Sequence, residues 1–186
     1  MSTTKDQTEV ISTTSQWLER AVIGLNLCPF AKAAYVKQRV RFTVSSATSD
    51  EALLDDLIIA LQALHAADPS ECETTLLIHP QALNDFLDYN DFLDAADAAL
   101  DALGLTGVIQ VASFHPQYQF AGTEPDDIEN FTNRAPYPLL HLLREDSIET
   151  AVENYPDVDD IPQRNIETLR RLGPEGWARC LAAENK

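Results

Sequence analysis

Apolar positions recur along this chain with two different periods, and each marks a kind of element. Over residues 7–25, Val10, Trp17, Leu18, Ala21 and Leu25 fall on one side, which predicts an amphipathic helix. Gly24 and then Cys28-Pro29 mark its end, because a residue before proline is pushed out of the α region. From Arg39 to Ser45 the pattern becomes a strict alternation. Val40, Phe42 and Val44 share one face and Arg39, Arg41 and Thr43 the other, which predicts a half-buried strand.

Thr48-Ser49-Asp50-Glu51 has the spacing of a capping box, and a stripe of leucines and isoleucines from Leu53 to Leu64 follows at helical spacing. Thr74 to His79 is a second, apolar strand. The next stretch repeats itself: Asn84-Asp85-Phe86-Leu87-Asp88, then Asn90-Asp91-Phe92-Leu93-Asp94. A six-residue step rotates a helical side chain by about 240°, which predicts a break near Asn90 and a second segment ending at Gly104. Gly107 to His115 is a third strand and Pro138 to Glu145 a fourth. The segment 146–186 is helical: a short helix capped by Asp146 or Ser147 and reaching about Tyr155, one from Asp160 to Gly173, and a last one opened by Pro174.

The order α-β-α-β-α-β-loop-β-α-α-α predicts one α/β domain over residues 1–186. It is expected to be a sandwich around a four-stranded mixed sheet flanked by helices, with the first three strands parallel and the fourth returning antiparallel.

Charge narrows the function classes. The 186 residues hold 13 Lys+Arg against 30 Asp+Glu, a formal charge of -17. Such a chain repels phosphate backbones and anionic lipid, so neither nucleic acid nor membrane is an expected partner. No apolar run approaches the roughly 20 residues needed to span a bilayer. The opening MSTTKDQTEV lacks the basic-then-apolar layout of a secretion signal, and three cysteines fit a reducing cytoplasm better than a disulfide framework. The charge is uneven: no Lys or Arg lies between Phe42 and Asn133, a stretch with 17 of the 30 acids. Lys32, Lys37, Arg39 and Arg41 cluster before it, and Arg134 and Arg144 follow it.

Candidate chemistry lies at strand ends. Two strands close on the same dipeptide, His79-Pro80 and His115-Pro116. Ligands of open α/β sheets bind outside the carboxyl ends of parallel strands, and His141, near the start of a returning fourth strand, is expected at the same rim. The connection from His115 to Tyr137 is long, aperiodic and rich in proline and aromatics, so it is expected to be an ordered loop folded over that rim. Tyr118, Asn133 and Arg134 on this loop, with Arg41 and Arg144, are candidates for holding an anionic ligand, the arginines because guanidinium is suited to carboxylate or phosphate. Arg144, three residues past His141, should point to the opposite sheet face. Cys28 is a candidate nucleophile, although a helix C-terminus does not lower a thiol pKa. No Gly-rich phosphate loop, nucleophile elbow, HExxH or CxxC is present.

Three segments carry a resemblance: Asn26-Leu27-Cys28-Pro29-Phe30-Ala31, Phe114-His115-Pro116, and Asn133-Arg134-Ala135-Pro136-Tyr137-Pro138 running into Leu140-His141-Leu142-Leu143-Arg144-Glu145. Through them the chain resembles, along its full length, an uncharacterised bacterial family, domain-of-unknown-function family 1415. The resemblance implies no activity and no residue roles, but it favours treating the three segments as parts of one site.

The expected function is a cytosolic enzyme acting on a small anionic metabolite. Cys28, His115 and His141 would be its catalytic groups, and Arg41, Tyr118, Asn133, Arg134 and Arg144 its binding groups. The alternatives are an acidic interaction module without catalysis, and a metal-binding protein using His79, His115 and His141. The residues identify no cofactor and leave the oligomeric state open.

Overall fold

The computed structural model describes residues 3–155 and 157–182. Helix α1, Thr3–Trp17, runs without interruption into a π-helical segment, Leu18–Ile23, where the Gly24 N–H reaches back five residues to the Glu19 carbonyl at 2.9 Å. The wider turn keeps Trp17, Leu18, Ala21 and Val22 all buried. Helix α2, Ala31–Val36, follows, then β1, Val40–Val44, and α3, Asp50–Ala66, whose N-cap Ser49 accepts from Ala52 N–H. Strand β2, Thr74–Ile78, leads to α4, Phe86–Ala102, and β3, Ile109–Phe114. A 3-10 turn, Ile128–Asn133, precedes β4, Leu139–Arg144, which passes directly into α5, Glu145–Glu153. A short 3-10 turn, Val158–Asp160, opens α6, Ile161–Ala182, which is kinked where Gly173 takes a positive φ of 67° before Pro174.

Helix α4 is a single element, and the expected break at Asn90 is absent. A 240° rotation one way is 120° the other, so Phe86 and Phe92 sit at opposite margins of one broad apolar arc. Tyr89, Ala96 and Leu100 occupy its middle, and Asn90 is exposed.

The sheet has four strands in the order β1-β2-β4-β3. This corrects the expectation of three parallel strands. Only β1 and β2 pair in parallel; β4 inserts between β2 and β3 and is antiparallel to both. Burial explains the choice. In β4, Leu139, Leu140 and Leu142 have no exposed surface, and every residue of β2 is buried, so both strands need neighbours on each edge. Strand β3 carries Gln110 and tolerates an outer edge.

Residues alternate between two faces. On the back face Leu77, Ile109, Leu140 and Leu142 pack against α3 and α4, with Leu53, Leu57, Leu61 and Tyr89 filling the layer. On the front face Leu76, Ile78, Leu139 and Phe114 meet Trp17, Leu18, Val22, Leu169 and Trp177 from α1, the π segment and α6. Fully burying one leucine stabilises by about 1.5–3 kcal/mol, so these two layers are what fix the sheet in place. Among the described residues no helix is long and apolar enough to cross a membrane.

Candidate functional site

The three strand-associated histidines do not converge. His79 and His115 follow the carboxyl ends of β2 and β3, as expected, and both are fully buried. They lie beside Tyr89 of α4, with ring centroids 5.8 Å and 5.1 Å from it. His141 is the third residue of β4, in register with Leu76 and Ala112 at mid-sheet on the front face. The fourth strand starts at the shared rim, but two further residues carry its histidine a third of the way across the sheet.

At His115 the hydrogen bonds determine the ring's protonation. Nδ1 accepts the Gln117 N–H at 3.0 Å, so Nε2 carries the hydrogen and donates to the Leu83 carbonyl at 3.1 Å. Both nitrogens are used, and burial pushes the pKa below the ordinary value. His79 donates from Nδ1 to the Ala82 carbonyl at 3.0 Å, while its Nε2 is buried without a partner, and burial holds its pKa at about 4. Both imidazoles are fully buried. His115 has no free ring nitrogen, and His79, His115 and His141 are not brought together as the expected metal set. Among the described residues no group of three or more His, Cys, Asp or Glu is placed to hold a metal.

The long loop is ordered, and its polar groups hold the loop itself. Arg134 donates from Nε to the Tyr118 carbonyl at 3.2 Å and from Nη2 to the Pro125 carbonyl, and lies 4.5 Å over the Phe131 ring. Asn133 donates to the Ser113 carbonyl at 3.0 Å and accepts from His115 N–H. Tyr118 packs against Phe86 and Phe120. Asn130, unremarked in the sequence, is fully buried: its Oδ1 accepts from Phe120 N–H and the Thr123 hydroxyl, and its Nδ2 donates to the Glu124 carbonyl. The only advance signal was an amide inside an otherwise acidic stretch.

A cavity of about 500 Å³ opens elsewhere, on the front face toward the amino-terminal ends of β1 and β2. Its floor is sheet, with Leu76, Ala112, Phe114 and His141; Trp17, Leu18 and Val22 wall one side, and Ile148 and Ala151 of α5 cover it. Cys28 reaches it because Asn26, at φ 54°, reverses the chain after the π segment, and Asn165 donates to the Leu27 carbonyl at 2.8 Å to pin that turn. Of the expected site residues, the cavity brings together Cys28 and His141. Arg144 touches its wall, but the guanidinium points to the back face and donates to the carbonyls of Leu64 and Ala67 at the end of α3 and of Cys72 just before β2. Arg144 is thus a helix C-terminal clamp. Arg41, on the back face of β1, Tyr118, Asn133, Arg134 and His115 lie outside the cavity.

His141 is the cavity's defining polar group, and Thr74, missed in the sequence, sets its state. The Thr74 hydroxyl has one hydrogen, and it goes to the Leu142 carbonyl at 2.6 Å, an atom that can only accept. At 2.7 Å the His141 Nε2 must then donate to Thr74 Oγ1. The hydrogen is on Nε2, and Nδ1 keeps a lone pair with no partner among the described residues. Burial holds the pKa at about 4, so the ring is neutral near pH 7. The clue in the sequence was a pair of threonines, Thr74 and Thr75, heading a strand that is otherwise apolar. Burial also pushes the Cys28 thiol up, against a smaller opposing effect from the N–H groups of Phe30 and Ala31, and it stays protonated.

A family model described as a protein of unknown function, DUF1415, matches residues 9–179. No curated protein and no solved structure matches the chain.

Proposed function

The chain belongs to the DUF1415 family, and from that premise we propose that it is a small-molecule-binding protein whose site is the cavity between the sheet, the Cys28 turn and α5. Its ligand is compact, mainly apolar and uncharged, and carries one hydrogen-bond donor. The observation that carries this reading is the free Nδ1 lone pair of His141, held by Thr74 in an enclosure that is otherwise largely hydrocarbon. A volume near 500 Å³ lies within the range of small-molecule sites.

The charge of the ligand differs from the sequence-based expectation. No lysine lines the cavity, the Arg144 guanidinium is committed to α3, and the charged group left on the wall is the Glu73 carboxylate, 3.9 Å from Arg39. An anion entering there would lose its hydration without a cation to replace it. The acid–base role expected of His141 is also weakened. With a pKa of about 4, only about one ring in a thousand is protonated at pH 7, which suits an acceptor and not a proton donor. The free thiols of Cys28, Cys72 and Cys180 support a reducing, cytoplasmic setting.

Titration with naphthalene, 1-naphthol and 1-naphthoate, followed by fluorescence, tests the reading. These probes share a ring system and differ in donor and charge. Naphthol should bind tightest, roughly 2- to 12-fold above naphthalene, the value of one net hydrogen bond. His141→Leu should remove that advantage while naphthalene binding persists. Preferred binding of the naphthoate, or no binding of any probe, refutes it.

A further inference from the structure

Strand β1 is an edge strand, and its outer side is open. In a parallel ladder alternate residues direct both backbone groups at the same neighbour. The Arg39 carbonyl accepts from Glu73 and Thr74 N–H, and Ser45 N–H donates to the Ile78 carbonyl, so Arg39, Arg41, Thr43 and Ser45 face β2. Val40, Phe42 and Val44 therefore turn their N–H and C=O groups away from the sheet, and among the described residues nothing pairs with them. The other edge differs: Asn133 occupies the carboxyl end of β3.

Two further features adjoin this edge. A recess of about 420 Å³, lined by Ser15, Tyr35, Val36, Gln38, Val40 and Phe42, runs beside it on the front face, and Val36 is 69% exposed there. On the back face the same strand carries Arg39 and Arg41, with exposed Lys37 just before it. Arg41 has no ion-pair partner among the described residues, and Arg39 meets Glu73 only at 3.9 Å. In a chain of charge -17 this is one of two basic clusters; in the other, on α6, Arg170 and Arg179 already pair with Glu129 and Glu175.

We propose that β1 is a docking edge for an extended acidic peptide segment, which adds to the sheet as a fifth strand. Its backbone would pair with Val40, Phe42 and Val44. Its side chains would alternate, apolar ones entering the recess beside Val40 and Phe42 and carboxylates lying beside Arg39 and Arg41. A second copy of this chain is the poorer occupant, because antiparallel β1–β1 pairing would set these arginines against one another. The stretch from Phe42 to Asn133 carries 17 of the 30 acids and no Lys or Arg, so the surface it forms repels an acidic partner and favours this edge over it.

The test uses fluorescein-labelled Asp-Val-Asp-Val-Asp-Val-Asp and its Lys-for-Asp counterpart, with the full chain, by anisotropy at low and physiological salt. The acidic peptide should bind saturably and weaken with salt, and the basic one should not bind. Arg41→Glu should weaken binding at least tenfold. Val44→Pro, which removes an outward N–H and leaves the β2 ladder in place, should weaken it similarly. Hydrogen exchange at Val40, Phe42 and Val44 should slow when the peptide binds. Equal binding of the basic peptide, no binding at low salt, or unchanged exchange at those amides overturns the proposal. So does a dimer that Val44→Pro dissociates, which would assign the edge to a second copy.

Discussion

Replacing Thr74 by valine removes one oxygen and keeps the shape of the side chain, so the cost comes from hydrogen bonding and not from a cavity. The His141 Nε2–H loses its acceptor inside the sheet, and the Leu142 carbonyl loses a donor. Leaving a buried polar group unpaired costs about 1–3 kcal/mol, so Thr74→Val should destabilise by roughly 2 kcal/mol. At a urea dependence of roughly 2–3 kcal/mol per molar, the unfolding midpoint should fall by about 0.7–1 M. The ring's one escape is to move its hydrogen to Nδ1, where it faces the cavity, and imidazole ¹⁵N spectra should show tautomers mixing in the variant and Nε2–H alone in the natural chain. His141→Leu removes the stranded imidazole N–H, so adding Thr74→Val to that background should cost less, only what the Leu142 carbonyl loses. The two substitutions should therefore couple by about 1 kcal/mol. If Thr74→Val costs the same with and without His141, or if the natural chain carries its hydrogen on Nδ1, the argument for a free acceptor in the cavity fails.

Acid should destabilise the fold through His79 and His141. Both titrate near 6.5 when unfolded and at about 4 when folded, so between those values the unfolded chain binds more protons. Stability is then complete above about pH 6.5 and falls as pH drops toward 4, by roughly 3 kcal/mol per histidine over that window. Urea midpoints measured from pH 7 to 4 should decline, and less steeply in His141→Leu. Arg144→Ala should cost roughly 2–4 kcal/mol, because two carbonyls at the end of α3 and that of Cys72 lose a charged donor, and Arg144→Lys should recover only part of it; calorimetric unfolding checks both. Asn130→Ala should free the loop between Pro116 and Pro125, seen as rapid proteolysis there, while leaving 1-naphthol affinity unchanged because the loop lies outside the cavity.

Much of the secondary structure was legible because it follows from neighbours a few residues apart. Alternation at Val40, Phe42 and Val44, the serine cap before Asp50, and the glycine–proline kink at Gly173 are local signals, and each element lies where those signals put it. The echo around Asn90 misled because a rotation was read in one direction, when a broad apolar arc accommodates both phenylalanines. The strand order was not local. That β4 would enter between β2 and β3 depended on which strands most needed burial on both edges, a competition that pairs β4 with β2 across 60 or more residues.

The candidate site divides the same way. Some of the residues that line the cavity could be named from the chain: Cys28 and His141 do, and Arg144 does point to the face opposite His141. Which of them are free to act was decided only by folding. His115 and Arg134 have the same side chains that were expected to work, but Gln117, Leu83, Tyr118 and Pro125 occupy their polar atoms. His141 remains available because Thr74, 67 positions away, takes one nitrogen and leaves the other open. A side chain's type is written in the sequence, but its protonation and its partners depend on what tertiary packing brings within 3 Å of it.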